Sequence, residues 1–134
     1  IQVFYQLPAG SKLALPALTQ AQEFQDRAAR VGFDWPEIGG VLEKVKEEID
    51  EVRLAQDESE FAAELGDLFF ALVNLSRWKK VDAEAALREA SLKFKRRFQY
   101  IERRVQELGK SMPAMSLTEL DGLWNEAKRN EKIA

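Results

Sequence analysis

The segment Leu65 to Leu75 constrains this chain more than any other. Leu65, Leu68, Phe69, Phe70, Ala71, Leu72, Val73 and Leu75 cover nearly every side of a helix with apolar groups. A helix that is apolar all round is expected to be buried. Yet Glu64, Asp67, Ala71, Asn74 and Trp78 fall on one stripe at spacings of three and four. Two carboxylates and an amide therefore enter a segment that should be dry. Ionised acids there are costly unless they are paired or bound to a cation. Glu64 has an ordinary role available near the helix N-terminus, where the dipole favours negative charge. Asp67 and Asn74 are not explained in that way.

The rest of the chain reads as helices too, and no segment alternates like a strand. Pro16 sits at a first-turn position, and a helix is expected from Ala17 to Val31, with Gly32 as its stop. Asp34 is a candidate cap in the turn Phe33-Asp34-Trp35-Pro36, and a second helix is expected from Pro36 to Ala55. Ile38, Val41, Leu42, Val45, Ile49 and Val52 form its apolar stripe. Asp57 with Glu60 has the capping-box pattern for a third helix, Glu58 to Lys79. Asp82 caps a fourth that runs to Leu108 before Gly109, and Ser116 with Glu119 caps a fifth that runs to Asn130. The fold expected is all-α, an antiparallel bundle of four to five helices joined by short loops. Residues 1–15, with Pro8 and Gly10 and no sustained period, are expected to form an arm or linker, and residues 16–134 the helical domain.

What such a bundle can do is narrowed by two absences: 134 residues contain no histidine and no cysteine. Ser-His-Asp and Cys-His nucleophile systems, His- or Cys-ligated zinc, haem ligation by His, iron–sulfur clusters and disulfides are all excluded. The 20 basic and 23 acidic residues leave a net charge of −3, which argues against a nucleic-acid surface built on bulk charge. The longest apolar run, Leu68 to Val73, is far too short to span a membrane. Nothing near Ile1 has the charge and apolar stretch of a signal peptide. A cytoplasmic protein without nucleic-acid or membrane partners is expected.

The second helix carries Glu43, Glu47, Glu48, Asp50 and Glu51, which for most helices would be a solvated face. A wheel of about 100° per residue, centred on Val45, separates them. Glu43, Glu47 and Asp50 lie about 140–160° away and face solvent. Glu48 lies about 60° from the centre, and Glu51 about 120°, on the flank shared with Lys44. Glu48 and Glu51 on one helix, with Glu64 and Asp67 on the next, give four acids able to face one another. Such convergence is tolerable around a hard divalent cation with oxygen ligands, Mg²⁺ by preference and Mn²⁺ as a substitute. On the fourth helix Lys93 and Arg97 flank the core stripe, and on the fifth Trp124 and Lys128 are one turn apart. Each cation alone suits a snorkelling surface residue. Beside a metal-binding acid cluster, they suit a phosphate-rich ligand. Trp124 fits either a base-stacking surface or the core.

These residues resemble a known family. Glu47-Glu48-Ile49-Asp50-Glu51 followed by Glu64-Leu65-Gly66-Asp67 is similar to the EExxE…ExxD signature of the all-α nucleoside triphosphate pyrophosphohydrolases. The blocks Ala28 to Trp35, Lys44 to Glu51, Leu72 to Leu75, Lys93 to Phe98 and Leu123 to Lys128 resemble the MazG branch. They look most like the C-terminal domain of two-domain MazG proteins, and the resemblance runs from about Leu15 to Asn130. It implies a Mg²⁺-dependent hydrolase that cuts a nucleoside triphosphate between the α and β phosphates, releasing monophosphate and pyrophosphate. It implies metal binding by Glu48, Glu51, Glu64 and Asp67, and nucleotide contacts from Lys44, Asn74, Lys93, Arg97, Trp124 and Lys128. A homodimer or higher homo-oligomer is implied as well. The pattern departs at Glu60, where two-domain relatives can carry a lysine on the nucleotide side. An acid there is expected to alter phosphate or base contacts and to leave the metal site alone. Without histidine, a motif carboxylate must orient or deprotonate the attacking water, Glu48 first and Glu51 second. Two alternatives stand beside this reading. One is a narrower relative acting on dUTP or phosphoribosyl-ATP, and the other is a non-catalytic helical dimerisation module.

Overall fold

The structure is a computed structural model and describes residues 15–133. The expected arm lies, apart from Leu15, outside the described residues. The described residues form five α-helices and a short 3₁₀ turn at Met112–Ala114, with no strand among them. The protein is all-α. It divides between Ala86 and Leu87 into two compact units.

The first unit holds α1 (Ala17–Arg30), α2 (Ile38–Leu54), α3 (Glu58–Trp78) and the first turn of α4 (Ala83–Glu107). α3 packs against both α1 and α2. Helix α1 ends where the periodicity stops. Gly32 takes a positive φ of 95°, and Phe33 N–H donates to the Ala28 carbonyl at 3.0 Å, closing the last turn. Helix α2 starts at Ile38, two residues later than the spacing predicts, after Glu37, which gives no side-chain cap. Pro36 disfavours helical backbone at Trp35, and the Asp34 carboxylate is committed to Trp35 N–H, Arg77 and Trp78. At α3 the cap is local, as the spacing predicts: Asp57 Oδ1 accepts from Glu60 N–H at 2.8 Å. Glu60 reaches back to Gln56 N–H at 3.2 Å, so its carboxylate serves the helix start.

The all-round burial expected for α3 is not what this structure has. Ala71 and Val73 are buried, whereas Phe69 and Phe70 are about half exposed, at 53% and 48%. One helix buries only the sides its neighbours cover, and α1 and α2 leave part of the α3 surface open. The α1 side is tied by side-chain amides. Gln22 accepts from Ala83 N–H at 2.8 Å and donates to the Val81 carbonyl, and buried Gln25 donates to the Phe70 carbonyl at 2.9 Å.

The second unit holds the rest of α4 together with α5 (Leu117–Ile133). Ile101, Val105 and Leu123 form its buried centre, with Met112, Met115, Leu120 and Trp124 packed on it. Ser116 and Glu119 cap α5 reciprocally, each backbone N–H donating to the other's side chain at 3.1 Å.

Candidate functional site

Helices α2 and α3 bring three of the expected acids together. One carboxylate oxygen each from Glu48, Glu64 and Asp67 lies within 4.8 Å of the other two. Burial decreases across the set, from buried Glu48 through half-buried Glu64 to exposed Asp67. Glu48 is buried because it follows Val41 by two turns on the face α2 turns inward. Its Oε1 receives Lys44 Nζ at 3.1 Å, while its buried Oε2 has no hydrogen-bond partner. A buried carboxylate oxygen left unpaired is expensive, and a cation would satisfy it. Glu64 carries a second sign of the same strain. Desolvation, followed by the charges of Glu51, Asp67, Glu48 and Glu60, pushes its pKa above the ordinary carboxylate value. Hard oxygen donors under mutual repulsion suit a divalent metal.

Glu51 is exposed and stands outside this group of three, though its charge is felt at Glu64. Lys44 bridges Glu47 and Glu48, and the bond to Glu48 raises its pKa. Asn74 is fixed by Arg77, whose Nε donates to Asn74 Oδ1 at 2.9 Å.

Asn74 also helps line a cavity of about 630 Å³, with Phe24, Phe33, Trp35 and Phe70 as aromatic walls and Asp34 and Arg77 among its polar groups. Arg77 grips Asp34 through Nη2 at 2.6 Å and Nη1 at 3.2 Å, and Trp78 Nε1 adds a bond to Asp34 at 3.2 Å. The Arg77 guanidinium, more than any other group, holds the Asp34 pKa below the usual range. Sequence reasoning missed this cavity and the Asp34–Arg77 pair. The only local hint was that Arg77 follows Asn74 by one turn.

In the second unit Arg97 pairs with Glu131 and lies over Trp124, its guanidinium carbon 5.2 Å from the ring centroid. Trp124 also packs on Phe94, with ring centroids 5.6 Å apart. Lys93 and Lys128 are exposed. Glu131 was not singled out in the sequence, because its partner lies on another helix.

Comparison with known proteins agrees with the motif. The sequence model of the MazG nucleotide pyrophosphohydrolase domain matches residues 37–101. The chain is 45% identical over 123 residues to the nucleoside triphosphate pyrophosphohydrolase of Escherichia coli K12, covering 88% of this chain and 47% of that protein. It is 42% identical over 118 residues to the nucleoside triphosphate pyrophosphohydrolase/pyrophosphatase MazG of Thermotoga maritima, covering 88% of this chain and 46% of that protein. A stretch of 78 residues, 58% of this chain and 16% of the relative, is 47% identical to the uncharacterized protein YabN of Bacillus subtilis. The chain thus spans about half the length of the first two relatives. With an all-α fold, the EExxE…ExxD acids on α2 and α3, and these matches, the chain belongs to the MazG nucleotide pyrophosphohydrolase family.

Proposed function

We propose that this chain hydrolyses nucleoside triphosphates to the monophosphate and pyrophosphate, cutting between the α and β phosphates, with Mg²⁺ as the metal and Mn²⁺ able to replace it. One observation carries the reading: three carboxylates from two packed helices meet within 4.8 Å, and one of their oxygens is buried and unpaired. The names of the relatives from Escherichia coli and Thermotoga maritima support it.

Glu48, Glu51, Glu64 and Asp67 would hold the metal, Glu51 being the exposed acid outside the close group of three whose charge still reaches Glu64. Mg²⁺, when bound, supplies Lewis-acid polarisation of the phosphoryl oxygens and offsets their charge. Lys44 fixes Glu48 through Oε1 and leaves Oε2 for ligation. Glu48, or Glu51 in its place, orients and deprotonates the attacking water. Lys93, Arg97, Trp124 and Lys128 contact the nucleotide. The nucleoside end enters the aromatic cavity beside Asn74. Asn74 stands on the same α3 stripe as Asp67, about 10 Å further along at 1.5 Å per residue, a reach suited to a sugar and base. Exposed Phe61, Phe69, Leu42 and Ile49 on α2 and α3 support a homodimer or higher assembly. No helix among the described residues is long and apolar enough to cross a membrane, and we assign the protein to the cytoplasm.

The test is a panel of ribo-, deoxyribo- and damaged nucleoside triphosphates, with dUTP and phosphoribosyl-ATP included, assayed with Mg²⁺ or EDTA and with all products identified. Monophosphate and pyrophosphate, formed only with metal, are expected. Diphosphate and inorganic phosphate, or turnover indifferent to EDTA, would overturn the reading. Activity confined to dUTP or phosphoribosyl-ATP narrows the substrate. A chain inert to every substrate, whose melting temperature ignores Mg²⁺, is a helical interaction module instead.

A further inference from the structure

Arg97 and Glu131 are 34 residues apart, on α4 and α5, and meet edge to edge. Arg97 Nε donates to both Glu131 oxygens, at 3.1 and 3.2 Å, and Nη2 donates to Oε2 at 2.9 Å. The guanidinium is therefore held on one edge by a carboxylate and on one face by the Trp124 indole. It is well covered, at 13% side-chain exposure, while Glu131 remains 38% exposed. A guanidinium has five N–H donors, and the side edge uses two. The other edge, formed by Nη1 and the outer Nη2 hydrogen, makes no hydrogen bond among the described residues. That fork matches the spacing of phosphate oxygens.

The charges nearby point the same way. Lys93 lies one turn before Arg97 on α4, and like charges at that spacing repel. The pKa of Glu131 is lowered first by its bond to Arg97 and further by the charges of Arg96 and Lys93. One carboxylate thus faces three cations, and positive charge is left over for an anionic group.

We propose that Glu131 is a positioning residue. It holds Arg97 over Trp124, so that the Nη1/Nη2 fork is presented in one orientation to a phosphate group of the substrate or of the pyrophosphate product. The proposal rests on the phosphate chemistry of the preceding section. It competes with two simpler roles for Glu131: a stand-in anion that phosphate must displace, and a surface ion pair joining α4 to α5. The side-on contact argues against displacement, because it leaves the phosphate-matching edge without a hydrogen bond among the described residues.

The sign of one experiment separates these roles. Removing a negative charge from a basic cluster should by Coulomb attraction alone tighten anion binding. Positioning predicts the reverse. Glu131→Gln is expected to weaken calorimetric binding of inorganic pyrophosphate, and to raise the KM for a nucleoside triphosphate, by roughly three- to tenfold. The turnover number should stay within about twofold of the parent, since the contact forms in ground and transition state alike. Glu131→Asp should recover part of the loss. In an Arg97→Ala background, Glu131→Gln should add no further weakening, since the two act as one unit. Tighter pyrophosphate binding in Glu131→Gln, unchanged binding, or an equal loss in the Arg97→Ala background would each overturn the proposal. These outcomes are read against a parent chain that releases pyrophosphate. A parent that binds no pyrophosphate and cleaves no triphosphate overturns the phosphohydrolase reading and this proposal with it.

Discussion

Arg77 holds both carboxylate oxygens of Asp34, Nη2 on Oδ1 at 2.6 Å and Nη1 on Oδ2 at 3.2 Å, and so ties the connection between α1 and α2 to the C-terminal end of α3. The pair borders the aromatic cavity, and Asn74 is held by the same guanidinium. One arginine thus sets the position of a loop, an amide and a cavity wall.

Its contribution should be visible in the acid limb of stability. The pKa of Asp34 is depressed below its ordinary 3.8, mainly by Arg77. A carboxyl lowered in the native state stabilises above its unfolded-state pKa and loses that effect as pH falls through the native value. Chemical denaturation at pH 7 and at pH 3 should show Asp34→Asn costing about 1–2 kcal/mol at the higher pH, a range kept modest by partial exposure. The gap should close as the parent protonates. A gap constant with pH would mean that the charge is not what matters.

The acid cluster predicts opposite effects on activity and on metal-free stability. Glu48→Ala or Asp67→Ala should reduce metal-dependent turnover by at least about 10²-fold, while circular dichroism still shows a helical protein. Near-normal activity in both variants would reject the site. Glu64 is the mirror image of Asp34. Its pKa is raised, so its unfolded-state carboxyl ionises before the native one, and metal-free stability falls as pH rises from about 4.5 through the native value. Glu64→Gln should therefore melt above the metal-free parent at pH 7 and lose the upward shift that Mg²⁺ gives the parent.

Gly40 and Gly39 sit side by side in the first turn of α2 and should respond in opposite senses to alanine. A Cβ at Gly40 would lie 2.7 Å from Trp35 Cε3, whereas at Gly39 its nearest neighbour is Glu37 Oε1 at 3.7 Å. Gly39→Ala should gain up to about 1 kcal/mol from helix propensity. Gly40→Ala should lose that gain and more, and should change the near-ultraviolet dichroism as Trp35 leaves the cavity wall. Equal stabilisation by both would show that the indole moves aside at little cost.

The cavity itself yields a substrate prediction. Phe70→Ala removes one aromatic wall without touching the acids. The KM for a nucleoside triphosphate should rise about tenfold, within the range of stacking contacts. Inorganic pyrophosphate, which has no base, should bind as before. Equal losses for both ligands would place the nucleoside elsewhere.

Much of this protein was readable from residue order because the relevant physics is local. The two capping patterns, at Asp57 with Glu60 and at Ser116 with Glu119, need only residues three apart: the second formed reciprocally, and in the first Asp57 caps Glu60 N–H while Glu60 returns one residue earlier, to Gln56 N–H. The wheel that put Glu48 near the core and Glu47 in solvent needed only the period of one helix, and the burial agrees. Periodicity reports which face a residue occupies and says nothing of what that face meets. How α2 packs on α3 decided that Glu48, Glu64 and Asp67 converge while Glu51 remains outside. The same packing left Phe69 and Phe70 half exposed on a helix whose composition promised burial. Asp34 was legible as a cap, but α2 begins only after Glu37, and the Asp34 carboxylate takes Trp35 N–H, Trp78 and a guanidinium 43 residues away instead. Glu131 had no local signal at all, since its partner Arg97 stands on another helix. Residue order determined the helices and the chemistry they carry. Tertiary packing decided which charges meet, because an ion pair depends on distance in space and not along the chain.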